Sequence, residues 1–351
     1  MDTYNTLHIV DPPIVFEVDS ETFWESHRQI AFPRYHIQNG VKENIVANWR
    51  AFINDSKQIR NSFAYSTILK RKVMEKDIDD PAMKILNPRS KFNSILALKK
   101  HLFGDELNYL VALLERYGVN AKNIGVRGSL LVDFATAASD IDVLVYGSKD
   151  VESFFDNLKD FYKARGINTL TKHKEITNEL YKRRHNHLGR ITKKYFLLHE
   201  RRRIQGIVLG KTRFVFSFID TQPLSYLKNV KNITPLGEVI LTGEVINSKS
   251  TYYDPAAIEV KAREIKAAKL FGNDTQTQIP GDVRNTPMHA TIYGDPICGV
   301  TFFDTEVIRI KGMLEQTVDS DGAISYHMAI RPSDAGQKQV KILKSVDKFL
   351  W

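Results

Sequence analysis

The amino-acid sequence predicts an α/β protein of the α+β type with a β-rich, barrel-like C-terminal region. Between about residues 105 and 232, segments with helical spacing alternate with short apolar runs that are typical of strands. From about Leu236 the pattern changes to short alternating runs separated by turn residues, such as "GEVILTGEVI", "VIRIKGML" and "AISYHMAI". We therefore expect three regions: 1–104, of mixed pattern and unknown role, 105–232 and 233–351.

The first region offers few element signals. Pro12-Pro13 and Pro33 interrupt any long element, whereas "ENIVANWRAFI" (43–53) and "KFNSILALKKHLF" (91–103) have helical spacing. Two helices are therefore expected before residue 105.

The middle region opens with the helical pattern "DELNYLVALLERYG", in which Asp105 is the expected cap and Gly118 the expected C-terminal glycine. The elements expected after it are a strand ending near Val126, a helix from about Ser129, a strand Ile141–Tyr146, a helix 150–165, a basic helical stretch 175–202, and the strands "IQGIVLG" and "RFVFSFI".

Composition narrows the class of protein. The chain has 351 residues, of which 42% are hydrophobic and 10% aromatic, as in a globular protein. The N-terminus lacks the pattern of a signal peptide, and no apolar run approaches the roughly 20 residues of a membrane span, so a cytoplasmic location is expected. Cys298 is the only cysteine, which excludes an internal disulfide and a cysteine-based zinc site.

Positive charge is concentrated in one segment. Residues 159–213 contain sixteen Lys or Arg against four Asp or Glu, although the whole chain has a net charge of only +9. One interpretation is that these charges form the solvated side of an amphipathic helix, because Ile176, Leu180 and Leu188 recur at helical steps. We prefer a second interpretation, in which the segment binds the backbone of RNA or DNA. The candidate contacts are Arg183, Arg184, Arg201, Arg202 and Arg203.

The stretch "GVRGSLLVDFATAASDIDVLVY" contains the candidate site. Gly128-Ser129 ends a strand and opens a helix, where backbone N–H groups can bind an anion. Asp140 and Asp142 are two residues apart on a strand, so both side chains leave the same face. Two such carboxylates repel each other unless a cation lies between them, and oxygen ligands favour Mg²⁺ or Mn²⁺ with a triphosphate.

This combination resembles the DNA polymerase β-like nucleotidyltransferase superfamily. Gly128-Ser129, ten further residues and then "DIDVLV" are similar to the superfamily signature, and "RFVFSFIDTQP" offers Asp220 as the third carboxylate. "HERRRIQGIVLGKTRF" and "IRIKGMLEQ" extend the resemblance to archaeal predicted nucleotidyltransferases, over about residues 105–351. The resemblance implies that Asp140, Asp142 and Asp220 are the catalytic ligands of two Mg²⁺ or Mn²⁺ ions. It also implies that Gly128 and Ser129 bind the phosphates of a nucleoside triphosphate.

The first helical turn departs from the superfamily pattern. Val132 and Asp133 stand where minimal members have arginine and glycine. Because an aspartate beside the phosphates would repel a triphosphate, Asp133 must turn outward or nucleotide binding must be altered.

The sequence therefore predicts a metal-dependent enzyme that moves a nucleoside monophosphate from a triphosphate to a hydroxyl acceptor on RNA or DNA. Two alternatives stay open: a non-catalytic nucleic-acid-binding protein on the same fold, and a toxin-like transferase that nucleotidylates protein. For Asp220 the alternative role is to cap the turn that follows its strand.

Overall fold

The computed structural model describes residues 8–11, 14–18, 28–44, 63–66, 71–77, 80–98, 100–170, 174–188, 192–200, 203–220, 229–253, 256–270, 287–292, 302–330 and 340–345. These residues form three β-sheets, with the described helices next to the middle one. The predicted α+β class with a β-rich C-terminal region is confirmed.

The N-terminal sheet is antiparallel throughout its described pairings. Its strands are β1 (His8–Asp11), β2 (Ile14–Val18), β3 (Arg28–Gln38), β4 (Val41–Asn44), β5 (Phe63–Ser66), β6 (Arg71–Asp77) and β7 (Lys84–Leu86). Their order is β5-β6-β3-β2-β1-β7, with β4 paired to β3. Of the helix predicted for 43–53, residues 45–53 lie outside the described residues, while Glu43 and Asn44 belong to β4.

A two-residue turn joins β3 to β4. Gln38 pairs with Val41, and the intervening Asn39 and Gly40 have φ angles of 52° and 75°. Both angles are positive, as a tight hairpin with the right-handed strand twist requires, and Asn-Gly is the sequence that adopts them most readily. This turn fixes where the side chains of β4 lie.

The middle sheet has the strand order β10-β11-β12-β9-β8, from β8 (Ile124–Val126), β9 (Ile141–Tyr146), β10 (Ile167–Asn168), β11 (Gln205–Val208) and β12 (Thr212–Ile219). β12 and β9 are parallel, and the other pairs are antiparallel. The accompanying helices are α1 (Pro88–Ala97), α2 (Gly104–Arg116), α3 (Gly128–Leu131), α4 (Ser148–Asp156), α5 (Leu158–Lys163), α6 (Lys174–Leu188) and α7 (Lys193–Glu200), with one 3₁₀ turn at Ala121–Asn123.

Several helix ends differ from the sequence prediction for local reasons. α1 begins earlier than predicted because the Asn87 side chain caps its first N–H groups. Phe103 occupies the cap position of α2, so Asp105 lies inside the first turn, where its charge favours the helix dipole. Gly118 follows α2 with φ +90°, as predicted for a C-terminal glycine.

Large apolar side chains of the middle sheet and of the helices beside it form the central core. Phe92 and Ile95 of α1 join the same buried cluster as Leu107 and Leu110 of α2, although α1 precedes the predicted boundary at residue 104. Phe154 packs in the same core against residues of β12, with its ring centroid 5.6 Å from that of Phe216. This core supports β9 and β12, the two strands beside the candidate site.

The C-terminal strands form a closed barrel. They are β13 (Val230–Asn247), β14 (Ala256–Leu270), β15 (Pro287–Ile292), β16 (Val307–Asp319), β17 (Ile324–Ile330) and β18 (Val340–Lys344). The order β13-β14-β15-β17-β16 returns to β13 through a β13–β16 pairing, and β18 adds to β16. Alternate residues of β13, including Val239, Leu241 and Val245, point into the barrel core.

Candidate active site

The Gly-Ser turn joins β8 to α3 and lies against the carboxylate pair. Gly128 has a φ of +67°, and a Cβ atom there would lie 2.2 Å from Asp142 Oδ2. Glycine therefore serves two purposes here, since it permits the left-handed backbone and leaves room for the carboxylate. Ser129 follows with only 7% of its surface exposed. The structure thus brings the predicted phosphate-binding residues and Asp142 together.

The helix that starts at this turn is short. α3 has only four residues and begins at Gly128, one residue before the predicted start at about Ser129. The dipole of a helix depends on many aligned peptide units, so one turn contributes little to anion binding. Side-chain cations must therefore supply most of the attraction for a phosphate at this position.

Asp140 and Asp142 lie at the N-terminal end of β9. Asp140 immediately precedes the strand and Asp142 is its second residue, and the Asp142 carbonyl accepts a hydrogen bond of 3.0 Å from the Arg127 N–H. Burial and, after it, the adjacent Asp140 carboxylate raise the pKa of Asp142 to about 6, against the opposing effects of Arg127, Arg213 and Arg34. The repulsion expected between the two carboxylates is therefore present.

Arg213 of β12 partly neutralises this pair. Its Nη1 donates to Asp140 Oδ2 at 2.8 Å, and its Nη2 donates to Gln205 Oε1 at the same distance. Gln205, which is 1% exposed, in turn donates from Nε2 to Glu200 Oε2 at 2.7 Å. A buried chain of hydrogen bonds thus connects the end of α7 to Asp140 and fixes the guanidinium in place.

The prediction that Asp220 is the third ligand is wrong. β12 runs parallel to β9 with Val215 beside Asp142 and Ile219 beside Tyr146, so Asp220 lies past the other end of the pair. Five residues at the rise of a strand separate Asp220 from Val215, which corresponds to about 16 Å. Instead, Asp220 lies near Tyr253, where burial of the phenol and then the charge of Asp220 raise the tyrosine pKa.

The assignment of Asp220 rested on the resemblance to the superfamily and on its position at the end of a strand. It contained no information on strand direction. The aspartate pair is at the start of β9, whereas Asp220 is at the end of a parallel strand, and these positions lie at opposite edges of the sheet. The position beside Asp140 is occupied by Arg213 instead.

The donor set consequently fits one divalent ion better than the two that the sequence suggested. Within the described residues, no group of three or more His, Cys, Asp or Glu side chains could hold a metal. Asp140 and Asp142 can supply carboxylate oxygens, and the oxygens of a bound triphosphate would complete the coordination of a single Mg²⁺ or Mn²⁺.

Asp133 turns away from the site, which is one of the two outcomes expected from its place in the sequence. It has a φ of 61°, its side chain is 74% exposed, and it accepts a hydrogen bond from Lys91 Nζ of α1. Its negative charge is therefore paired at the surface, where it does not oppose a triphosphate beside Gly128.

Two cations of the N-terminal sheet reach the site, and sequence reasoning missed both. Arg34 of β3 and Lys42 of β4 each interact electrostatically with Asp142. The Asn-Gly pair in "IQNGVKEN" signals a hairpin, which could have placed Lys42 on a strand. Nothing in the sequence indicated that this hairpin faces the carboxylates.

The candidate nucleic-acid contacts have mixed outcomes. Arg201, Arg202 and the side chains of Arg183 and Arg184 in α6 lie outside what the structure describes. Arg203 is wrong as a surface contact, because only 8% of it is exposed and its Nη1 lies 3.8 Å from Glu200 Oε1. The apolar side of the segment behaves as expected, since Leu180 packs with Phe196 in a buried cluster.

Comparisons with known proteins add little. No protein-family model matches the chain. An uncharacterized protein from Methanocaldococcus jannaschii is 24% identical over 214 residues, which are 61% of this chain and 56% of that protein. The chain thus matches little more than half the length of this relative.

One solved structure aligns with about a third of the chain. A mitochondrial single-stranded DNA-binding protein from Saccharomyces cerevisiae aligns with 32% of this chain and 99% of its own, at 10% identity and a TM-score of 0.21, too low to establish a common fold. Among the described helices, none has the length and apolar character needed to cross a membrane.

Proposed function

We propose that this protein is a metal-dependent nucleotidyltransferase that moves a nucleoside monophosphate from a nucleoside triphosphate to a hydroxyl group of RNA or DNA. The bond between the α and β phosphates breaks, and pyrophosphate leaves. The observation that supports it is the contact between Gly128 and the Asp142 carboxylate, beside Asp140. A phosphate at the Gly-Ser turn and a divalent ion at the two carboxylates would be neighbours, as nucleotidyl transfer requires.

The residues of the site have distinct roles in this proposal. Asp140 and Asp142 hold one Mg²⁺ or Mn²⁺, which when bound neutralises charge on the phosphates and favours attack at phosphorus. The hydroxyl and N–H groups of Ser129 orient the phosphate chain. Arg213 keeps Asp140 in a fixed orientation through its bond to Gln205, so the ligand oxygens need little rearrangement when a substrate binds.

Two features support a nucleic acid as acceptor. The basic segment presents exposed lysines on consecutive helices, among them Lys174, Lys182 and Lys193, close in sequence to the strand that carries Arg213. Among the described residues, five strands (β13 to β17) close the C-terminal barrel and β18 pairs with β16, and other proteins use five-stranded barrels to bind oligonucleotides. The first feature favours a polyanion, and the second supplies a surface for it.

One observation favours the second candidate, a non-catalytic nucleic-acid-binding protein on this fold. Asp220 does not join the pair, and Arg213 already forms an ion pair with Asp140. A site with two carboxylates, one of them ion-paired, binds metal less strongly than three unpaired ones. The same site could also serve transfer to a protein hydroxyl, the third possibility that the sequence leaves open.

Label transfer distinguishes the three candidates. The full chain is incubated with each α-³²P-labelled nucleoside triphosphate, Mg²⁺ or Mn²⁺, and total cellular RNA, DNA or protein. We expect label in a nuclease-sensitive product, abolished in Asp142→Asn and retained in the matched variant Asp220→Asn. Label that resists nucleases but not protease indicates a protein acceptor. Nucleic-acid binding without any label would reject the enzyme in favour of the binding protein.

A further inference from the structure

The N-terminal sheet packs against the end of the short helix that begins at the Gly-Ser turn of the candidate site. Val132, the C-cap residue of α3, is 7% exposed and lies in one buried cluster with Val15 of β2 and Tyr35 of β3. Val10, Ile37 and Leu86 of the same sheet border this cluster. Apolar contact therefore holds the first sheet against the element that carries Gly128 and Ser129.

This packing brings two cations to the carboxylates. Lys42 Nζ lies 4.6 Å from the centroid of the Tyr35 ring, and the Arg34 guanidinium carbon lies 5.6 Å from it. Because Tyr35 is 4% exposed and anchored in the contact with Val132, the two cations are held at the boundary between the sheet and the site. Both interact with the charge of Asp142, and Lys42 also with that of Asp140.

Lys42 is held there without a carboxylate partner of its own. The side chain is half-buried, and among the described residues its ammonium group has no hydrogen-bond or ion-pair partner, although it lies over the Tyr35 ring. Burial against the Tyr35 ring partly desolvates the Lys42 ammonium group and lowers its pKa. A partly desolvated ammonium group gains strongly from an anion that enters beside it.

The charge balance of the site also favours an anion. Around the carboxylates of Asp140 and Asp142, the described residues place four cations: Arg34, Lys42, Arg127 and Arg213. With all six groups charged, the site has a surplus of two positive charges. Such a surplus attracts a polyphosphate, whereas a divalent ion alone would be repelled by it.

We propose that Lys42 and Arg34 are phosphate-binding residues of the active site, so that the N-terminal sheet supplies the cations that hold the triphosphate of the substrate. This rests on the proposed function and extends it, because it assigns a role to the first hundred residues. The Gly-Ser turn holds one end of the phosphate chain, and the β3–β4 hairpin binds the other.

Calorimetric titration of the full chain with inorganic tripolyphosphate and Mg²⁺ tests this assignment without requiring the identity of the nucleoside. Lys42→Met keeps the apolar stem and removes the charge, Lys42→Arg keeps the charge, and Lys84→Met removes an exposed lysine of the same sheet as a control. We expect Lys42→Met to weaken binding by about tenfold or more, as for a lost charge-assisted hydrogen bond, and Arg34→Met to act similarly. Lys42→Arg and Lys84→Met should stay within about twofold of the wild type.

Circular dichroism and thermal unfolding confirm that each variant is folded. Equal affinity of the wild type and Lys42→Met would overturn the assignment, as would an equal loss in Lys84→Met or no binding to the wild type. Label transfer from nucleoside triphosphates remains a separate measurement, so a wild-type enzyme that transfers label while Lys42→Met binds tripolyphosphate normally contradicts this inference and leaves the proposed function intact.

Discussion

At the scale of single residues, the site depends on the contact between Gly128 and Asp142. The absence of a side chain at Gly128 lets the Asp142 carboxylate lie against the backbone of the turn. That carboxylate is also destabilised, because burial and the charge of Asp140 raise its pKa to about 6. A ligand that brings positive charge to Asp142 lowers the free energy of its buried carboxylate. Carboxylates with a pKa raised in this way are typical of binding sites.

The stability of Asp142→Asn should depend on pH. Folding raises the Asp142 pKa from 3.8 to about 6, so between these values the folded protein retains a proton that the unfolded chain has lost. Wild-type stability therefore falls across this window as pH rises, and the charge penalty is fully present above it. Urea denaturation without metal measures the free energy of unfolding of both proteins. We expect the difference in favour of Asp142→Asn to grow from about pH 4 to about pH 6 and to stay constant above that pH. A variant that is less stable than wild type at neutral pH would contradict the charge argument.

Gly128→Ala should cost more stability than Gly210→Ala. The two glycines have nearly the same φ, +67° and +69°, but only at Gly128 would the new Cβ meet the Asp142 carboxylate, since nothing lies within 4 Å of it at Gly210. Both variants should lose about 1 kcal/mol to the left-handed backbone, and Gly128→Ala should lose at least about 1 kcal/mol more to the clash. The excess should shrink when Asp142→Ala is combined with Gly128→Ala. Equal losses for the two single variants, measured by urea denaturation, would show that the contact is unimportant.

At the scale of elements, local sequence patterns predict the strands, whereas the direction of each strand determines which side chains lie together. β9 and β12 are recognisable as apolar runs, and the two-residue spacing correctly places Asp140 and Asp142 together at the start of β9. Whether β12 runs parallel or antiparallel to β9 depends on the path of the chain through α6 and α7. No local spacing contains that information, which is why Asp220 was assigned to the site and Arg213 was not.

The basic helices give a prediction for nucleic-acid binding. Lys174, Lys182 and Lys193 are exposed, whereas Arg203 is buried beside Glu200. Replacing the three lysines with Gln should reduce the slope of log affinity against log salt for single-stranded RNA by up to about 2 units, because each phosphate contact releases counterions. Replacing exposed Lys84, Lys122 and Lys149, which lie outside the basic segment and the C-terminal barrel, with Gln serves as the charge-matched control. Equal slopes for both triple variants and the wild type would exclude α6 and α7 as the polyanion surface.

At the scale of the whole molecule, the three sheets differ in how much of their structure local sequence patterns predict. The alternating runs after Leu236 were sufficient to predict a β-rich region, because strand alternation is a local property, but closure through β13 and β16 joins residues about 70 positions apart. The first region was the least predictable. β3 continues for 11 residues through Pro33, where the sequence predicts an interruption, and the contact of this sheet with Val132 depends on long-range packing that no periodicity reveals.

Binding of Mn²⁺, followed by electron paramagnetic resonance with a non-hydrolysable nucleoside triphosphate present, tests most directly whether Asp140 and Asp142 form a one-ion nucleotide site. The account predicts one tightly bound ion per chain when the nucleotide is present and weak binding without it, because four cations surround the two carboxylates. Asp140→Asn and Asp142→Asn should lose the ion, and Asp220→Asn should keep it. Two tightly bound ions, an ion retained in Asp142→Asn, or an ion lost in Asp220→Asn would contradict the account.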